Sequence, residues 1–184
     1  RWSSTNMEER VFSNRLGKTI LYRVWPVDGA KATIHIYHGM AEHGARYDEF
    51  AKYMNSEGFA VFCHDHMGHG GSLNGDETGY FNDKDGWEYA SLDGYDIDLI
   101  IEEEYKNIPH FIFGHSMGSF MARTILCKYP NCGLAGAVIC GTGWQPTFAI
   151  PALIKIIESM GKRSGETAPN ETLQKLIFGG YNKR

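Results

Sequence analysis

The feature of this sequence that most restricts its fold is a repeated alternation between short apolar runs and amphipathic helical stripes. The apolar runs occupy 32–37, 59–63, 110–113 and 134–140. The helical stripes carry apolar side chains at Tyr47, Phe50, Ala51 and Met54, at Leu92, Tyr95 and Leu99, and along 117–129. Continuous apolar runs are typical of strands that are buried on both faces. The alternation therefore predicts an α/β fold in which a mostly parallel sheet carries helices on both faces.

The N-terminal segment has a different pattern, in which two β-rich runs flank a turn. The runs 8–13 and 18–25 are separated by Asn14-Arg15-Leu16-Gly17. Asn and Gly are common in tight turns because they tolerate a left-handed backbone. The pattern predicts a β-hairpin ahead of the alternating strands and helices.

The pattern changes again after Gly141, where helical stripes follow each other with no strand between them. One stripe consists of Ile150, Leu153, Ile154 and Ile157, and a second of Leu173, Leu176 and Ile177. We therefore divide the chain into a core over 1–143 and a helical segment over 144–184. This segment is either an apolar lid over a site or a helix pair packed at the periphery, and the sequence leaves both open.

Length and charge narrow the class of partner. A chain of 184 residues with 42% hydrophobic and 22% charged residues is long enough to bury a core and is expected to form a single globular domain. The net charge of −4 is scattered along the sequence, which gives no basic surface for nucleic acid or anionic lipid. We expect a small, locally recognised substrate, no cofactor, no stable membrane insertion and a cytoplasmic location. The oligomeric state stays open.

The four cysteines give no sign of a metal site or a disulfide framework. They are Cys63, Cys127, Cys132 and Cys140, and no two of them form a C-x-x-C pair or have zinc-ligand spacing with histidine. We expect reduced thiols, most of them buried, since free cysteine packs as a small apolar side chain.

The motif that carries chemistry is Gly114-His115-Ser116-Met117-Gly118, a G-x-S-x-G between an expected strand and an expected helix. This context is typical of a nucleophile elbow, in which a sharp turn exposes the serine hydroxyl. Glycines are needed at both flanks because side chains there would collide. The start of the helix favours an oxyanion, so the Met117 amide is a candidate donor. A bare G-x-S-x-G can also mark nothing more than a turn.

A second oxyanion donor is expected from the loop after the third strand, which begins His38-Gly39-Met40. The glycine turn is suited to bringing a backbone amide over the site, and we assign that role to the Met40 N–H. The side chains of Glu42 and His43, which follow in the same loop, are expected to be solvated.

A further segment, Asp65-His66-Met67-Gly68-His69-Gly70-Gly71-Ser72, is rich in histidine and glycine. It lacks the lysine of a P-loop, and two histidines three apart are weak evidence for zinc. We interpret it as a shaped turn in which Asp65 accepts hydrogen bonds from local amides.

Together, the motifs H-G-M-A-E-H at 38–43, D-H-M-G-H-G-G-S at 65–72 and G-H-S-M-G at 114–118 resemble the monoacylglycerol lipase and lysophospholipase branch of the α/β-hydrolase superfamily. The resemblance covers nearly all of 8–143. It implies an eight-stranded sheet with a helical cap after the sixth strand, and hydrolysis of a monoacylglycerol or lysophospholipid ester. It carries over Ser116 as nucleophile and the amides of Met40 and Met117 as oxyanion hole.

The remaining members of a catalytic triad have no candidates in their usual place. In this superfamily the order along the chain is Ser, then Asp or Glu, then His. Between Met117 and Arg184 there is no Asp and no His, and the carboxylates are Glu158, Glu166 and Glu171. Upstream histidines could serve instead, although each is expected to be structural or solvated: His38, His43, His66, His69, His110 and His115.

Truncation accounts for this gap, since the seventh and eighth strands are missing as well. We expect the chain to be a fragment, with the acid and the histidine beyond Arg184 and the sixth strand left as a sheet edge. The leading hypothesis is a serine ester hydrolase acting on a small lipid, although the same elbow also serves peptidases and thioesterases. The rival hypothesis is a catalytically inactive fragment or binding protein.

Overall fold

The structure is a computed structural model that describes residues 6–144 and 146–165, together with 171, 172 and 175. The strands are β1 (Glu8–Ser13), β2 (Thr19–Trp25), β3 (Ala32–Tyr37), β4 (Phe59–His64), β5 (His110–His115) and β6 (Gly136–Cys140). The α-helices are α1 (Asp48–Ser56), α2 (Gly86–Glu104), α3 (Met117–Lys128) and α4 (Ile150–Ser164). Short 3₁₀ turns lie at Gly44–Tyr47, Gly70–Ser72 and Thr147–Ala149.

The strands form one six-stranded sheet in the order β1-β2-β4-β3-β5-β6. β1 pairs antiparallel with β2, and β2 antiparallel with β4. β3 pairs parallel with both β4 and β5, and β5 pairs parallel with β6. The predicted hairpin and the mostly parallel sheet are therefore confirmed.

Helices cover both faces of the sheet, as the alternating pattern predicts. On one face, Ala51 of α1 packs with Ile34, Ile36 and Val61. The other face packs against α2 and α3 through a larger cluster that includes Phe62, Ile97, Ile101, Ile112 and Met121. β3 is buried along its whole length because both of its faces are covered.

The residue composition of the sixth strand and of the cysteines predicts more burial than the structure shows. The apolar run at 134–140 is by itself typical of a buried strand, but β6 lies at the edge of the sheet, which agrees with the expectation of a sheet edge at the sixth strand, and Val138 is 51% exposed. All four cysteines are free, but Cys127 and Cys140 are exposed and only Cys63 and Cys132 are buried. Both differences have one cause: an apolar composition does not reveal whether a neighbouring element covers the residue.

The chain divides into two compact units, Arg1–Gly143 and Trp144–Arg184. In the second unit, α4 begins with Pro151 in its first turn, where proline is tolerated, and is followed by Gly165 at a φ of 88°. The second helix predicted from Leu173, Leu176 and Ile177 lies outside the described residues, so a helical cap over 144–184 stays a prediction. Within the described part of the chain, none of the helices combines the length and the apolar character that crossing a bilayer requires.

Candidate active site

Ser116 occupies a sharp bend between the end of β5 and the start of α3. Its backbone has φ 50° and ψ −116°, a combination that non-glycine residues rarely adopt. The Ser116 N–H donates to the Cys140 carbonyl at 2.9 Å. The Ser116 carbonyl accepts from the Ser119 amide at 3.0 Å and from the Ser119 hydroxyl at 2.5 Å. These bonds hold a strained backbone in place, which is the situation in which such strain persists at functional sites.

The two glycines of the motif are required by the close approach of α3 to the sheet. A Cβ at Gly118 would lie 1.9 Å from the Tyr37 carbonyl oxygen at the end of β3. A Cβ at Gly114 would lie 2.7 Å from the Gly118 carbonyl oxygen. Neither contact is possible for real atoms, so any side chain at these two positions would push the helix away from the strands.

The loop after β3 comes close to the bend at Ser116 at the position of Gly39. A Cβ at Gly39 would be 3.3 Å from Ser116 Cβ and 3.2 Å from His115 Nδ1. The next residue in this loop is Met40, and Met117 is the first residue of α3. The first N–H groups of a helix have no partner within the helix and carry a partial positive charge. The structure thus brings together the chain segments of all three predicted site residues, while their catalytic roles stay predictions.

Glu42 is buried, which corrects the expectation that it is solvated. Its side chain is 7% exposed. Oε1 accepts hydrogen bonds from the Gly39 amide, from the Tyr47 hydroxyl at 2.9 Å and from His115 Nδ1 at 3.2 Å. Burial alone would raise the pKa of this carboxyl, but these donors hold it below its usual value. His43 is exposed, as expected.

His38 contacts the same loop from the interior of the protein. Its Nδ1 donates to the Gly39 carbonyl at 2.7 Å, and its Nε2 accepts from the His66 amide at 3.0 Å. The His66 ring returns a bond from Nε2 to the His38 carbonyl at 2.9 Å. Burial lowers the pKa of His38 to about 4, so the ring is neutral at pH 7 and can accept the bond from His66.

The other upstream histidines bond groups away from the Ser116 hydroxyl. His69 Nδ1 faces the Met67 carbonyl at 3.2 Å, and His110 Nε2 faces Asp98 at 3.0 Å. His115, next to the serine, bonds Glu42. The hydrogen bonds of these three rings are therefore structural contacts with groups other than the Ser116 hydroxyl.

A buried network around Asp98 was missed by the sequence analysis. His35 Nδ1 and the Tyr37 hydroxyl each lie 2.6 Å from an Asp98 carboxylate oxygen, and His35 Nε2 faces His64 Nδ1 at 2.8 Å. Burial opposes ionisation of Asp98, but His35 and His110 outweigh it and hold the pKa of the carboxyl well below its usual value. The sequence did carry a signal for this network, because His35 and His64 are polar residues inside the otherwise apolar strands β3 and β4.

The histidine and glycine-rich segment forms the shaped turn that was predicted. Asp65 accepts from the Gly44 and Gly71 amides, each at 2.7 Å, and from Arg23 Nη1 at 2.8 Å. A Cβ at Gly70 would lie 2.2 Å from Asp65 Oδ2. Among the residues that the structure describes, no group of three or more His, Cys, Asp or Glu side chains is arranged to hold a metal ion.

Known proteins resemble this chain in both sequence and fold. The family model described as serine aminopeptidase, S33 matches residues 28–179. The chain is 35% identical over 158 residues to a monoglyceride lipase homolog of monkeypox virus. The aligned region covers 85% of this chain and 54% of the viral protein. The chain is 34% identical over 119 residues to the monoglyceride lipase of Mus musculus, covering 64% of this chain and 38% of that protein. The chain thus spans about half the length of these relatives, or less.

A solved structure with a similar fold is a highly thermostable carboxyl esterase from Bacillus coagulans in complex with glycerol. The two superpose with a TM-score of 0.81 at 26% identity, over 98% of this chain and 59% of the esterase chain. The resemblance therefore extends over nearly the whole chain.

Proposed function

The chain belongs to the serine aminopeptidase S33 family and is a monoglyceride lipase-like α/β-hydrolase, and from this premise we propose that Ser116 is the nucleophile of a serine ester hydrolase. The proposed substrate is a monoacylglycerol or a lysophospholipid. The observation that carries the proposal is the strained bend at Ser116, in contact with the loop after β3 and followed at once by a helix N-terminus.

In the proposed reaction, Ser116 Oγ attacks the ester carbonyl carbon while a histidine takes the hydroxyl proton. The carbonyl oxygen becomes an oxyanion, which accepts hydrogen bonds from the Met40 and Met117 amides. Collapse of this intermediate breaks the bond to the alcohol, which leaves with the proton from the histidine. Water then attacks the acyl-serine in the same way, which releases the carboxylic acid and regenerates the hydroxyl.

The test is labelling of Ser116 by a fluorophosphonate, which reacts with an activated serine. We expect one equivalent of label on the complete protein encoded by the reading frame, none on Ser116→Ala, and full labelling on the control Ser13→Ala, whose serine is exposed at the end of β1. Labelling of Ser116→Ala at the wild-type level would overturn the assignment of the nucleophile.

Substrate class is tested on the complete, unlabelled protein with a panel of three compounds. We expect release of fatty acid from monooleoylglycerol or from lysophosphatidylcholine. Turnover of an amino acid p-nitroanilide without ester turnover would instead place the protein among the peptidases, which the elbow equally serves.

A second candidate is a catalytically inactive protein, favoured by the absence of Asp and His between Met117 and Arg184. Intact mass separates it from the enzyme. A purified natural product of 20.7 kDa that takes up no fluorophosphonate would support the inactive protein. A larger product that is labelled at Ser116 would support the enzyme.

A further inference from the structure

We propose that Glu42 is a positioning residue for the oxyanion hole, whose buried carboxylate fixes the Gly39 amide and so directs the Met40 N–H toward Ser116. The inference rests on the proposed function, because it gives Met40 the role of donor. It goes further in naming a carboxylate that, together with His38, sets the direction of that donor.

The backbone on both sides of Gly39 is held by side-chain hydrogen bonds. The Gly39 N–H donates to Glu42 Oε1, and the Gly39 carbonyl accepts from His38 Nδ1 at 2.7 Å. That carbonyl shares a planar trans peptide with the Met40 N–H, so the two groups point in opposite directions. Glycine is the residue whose backbone most easily changes conformation, and here its two neighbouring peptides are each held by a buried side chain. The direction of the Met40 N–H follows from these two bonds.

Glu42 also connects this loop to the strand end next to the serine. Glu42 Oε1 also faces His115 Nδ1 at 3.2 Å, and His115 directly precedes Ser116. One carboxylate oxygen therefore contacts both the oxyanion loop and the strand end that carries the nucleophile. A Cβ at Gly39 would lie 2.9 Å from Glu42 Oε1 and 3.3 Å from Ser116 Cβ, so Gly39 lies close to both of these residues.

The position of the amide that Glu42 bonds separates its role from that of a carboxylate that only stabilises a turn. The Tyr47 hydroxyl donates to Glu42 Oε1, the oxygen that bonds Gly39, whereas the exposed Arg46 donates to the other oxygen, each at 2.9 Å. Asp65 supports a neighbouring turn in a comparable way, through the Gly44 and Gly71 amides. Unlike Asp65, Glu42 bonds the amide immediately before the proposed donor.

The expected kinetic signature is a loss of kcat with little change in KM. A correctly directed oxyanion donor acts on the charge that develops in the transition state, and removal of one such donor lowers kcat by about 100-fold or more. We expect Glu42→Ala to lower kcat by about 100-fold and to change KM by less than about threefold. Glu42→Gln keeps a carbonyl oxygen that can accept from Gly39, so it should recover most of the lost kcat.

The experiment uses the complete protein with p-nitrophenyl butyrate as substrate, and compares wild type, Glu42→Ala and Glu42→Gln. The matched control is Arg46→Ala, which removes a donor from the other oxygen of the same carboxylate and whose side chain is 63% exposed. A second measurement follows the Gly39 amide proton by NMR. A charge-assisted hydrogen bond to a carboxylate shifts this proton downfield, and the shift should be lost in Glu42→Ala and kept in Arg46→Ala.

Failure of the proposed function and failure of the proposed role of Glu42 would give different results. A wild-type protein that neither reacts with fluorophosphonate nor hydrolyses the ester refutes the proposed function itself. An active wild type together with a folded Glu42→Ala that keeps kcat within threefold, or that loses activity only through KM, overturns the role of Glu42. A Gly39 amide proton that does not move in Glu42→Ala also overturns it, whether or not this variant is stable enough for kinetics.

Discussion

Asp93 provides a prediction whose size follows from the structure. This carboxyl lies on α2, is 1% exposed and accepts a hydrogen bond from Asn14 Nδ2 at 3.1 Å. Burial raises its pKa to about 7, and the negative charge of Asp96 adds to the increase. Asn14, Arg15 and Lys18 act in the opposite direction and are too weak to reverse it.

The sign follows from where the proton is bound. Between about pH 4 and pH 7 the folded protein keeps a proton on Asp93 that the unfolded chain has lost, so the contribution of this group to stability falls as pH rises through that range. Above pH 7 the carboxylate is charged in both states and the full penalty remains. Three pKa units correspond to about 4 kcal/mol, which is an upper limit because water entry and relaxation reduce the cost.

The perturbation is Asp93→Asn, which keeps an oxygen acceptor for Asn14 and removes the charge. We expect the variant to be more stable than wild type by about 2 kcal/mol at pH 8, and the difference to disappear near pH 4. The assay is urea unfolding at half-unit intervals from pH 4 to pH 8.5. The control is Glu103→Gln on the same helix, where the carboxylate is 76% exposed. The reasoning is refuted if Asp93→Asn and wild type lose stability in parallel across this range.

Three further substitutions test the bend and the buried network by urea unfolding at pH 7. Ser116→Gly should be more stable than Ser116→Ala by about 1 to 2 kcal/mol, because both lack the hydroxyl and only glycine relieves the positive φ; equal stability would argue against strain. Gly118→Ala should cost about 3 kcal/mol through its clash with the Tyr37 carbonyl, and an unchanged midpoint would contradict that contact. Asp98→Ala should cost about 3 to 5 kcal/mol because it leaves His35 and His110 without their acceptor, and a loss below 1 kcal/mol would count against a charged network.

Much of the fold could be predicted because it depends on local pattern. The strands β3, β4 and β5 are continuous apolar runs, and the helices between them have a regular apolar spacing. The bend at Ser116 was also predictable, since a strand, a glycine-flanked serine and a helix follow directly in the chain. Such features involve residues a few positions apart, whose conformational preferences act before any distant contact forms.

The exposure of β6 could not be predicted from the residues of the strand alone, because it depends on what lies beside the strand. An apolar run of this length is compatible with a central strand and with an edge strand, and the order of the sheet decides between them. Val138 is exposed for this reason, although the sequence around it resembles that of the buried strands.

The polar interior shows the same limit more clearly. Asp98 is 63 positions from His35 and 61 from Tyr37 along the chain, and Glu42 is 73 positions from His115. The alternating pattern of the chain was enough to establish a parallel sheet with a sharp serine turn at its carboxyl edge, because these elements follow from local preferences and apolar periodicity. Which carboxylates are buried, and which amides and imidazoles they contact, was decided only when the sheet and helices packed. A buried charge is retained only where distant donors converge on it, and no local pattern records that convergence.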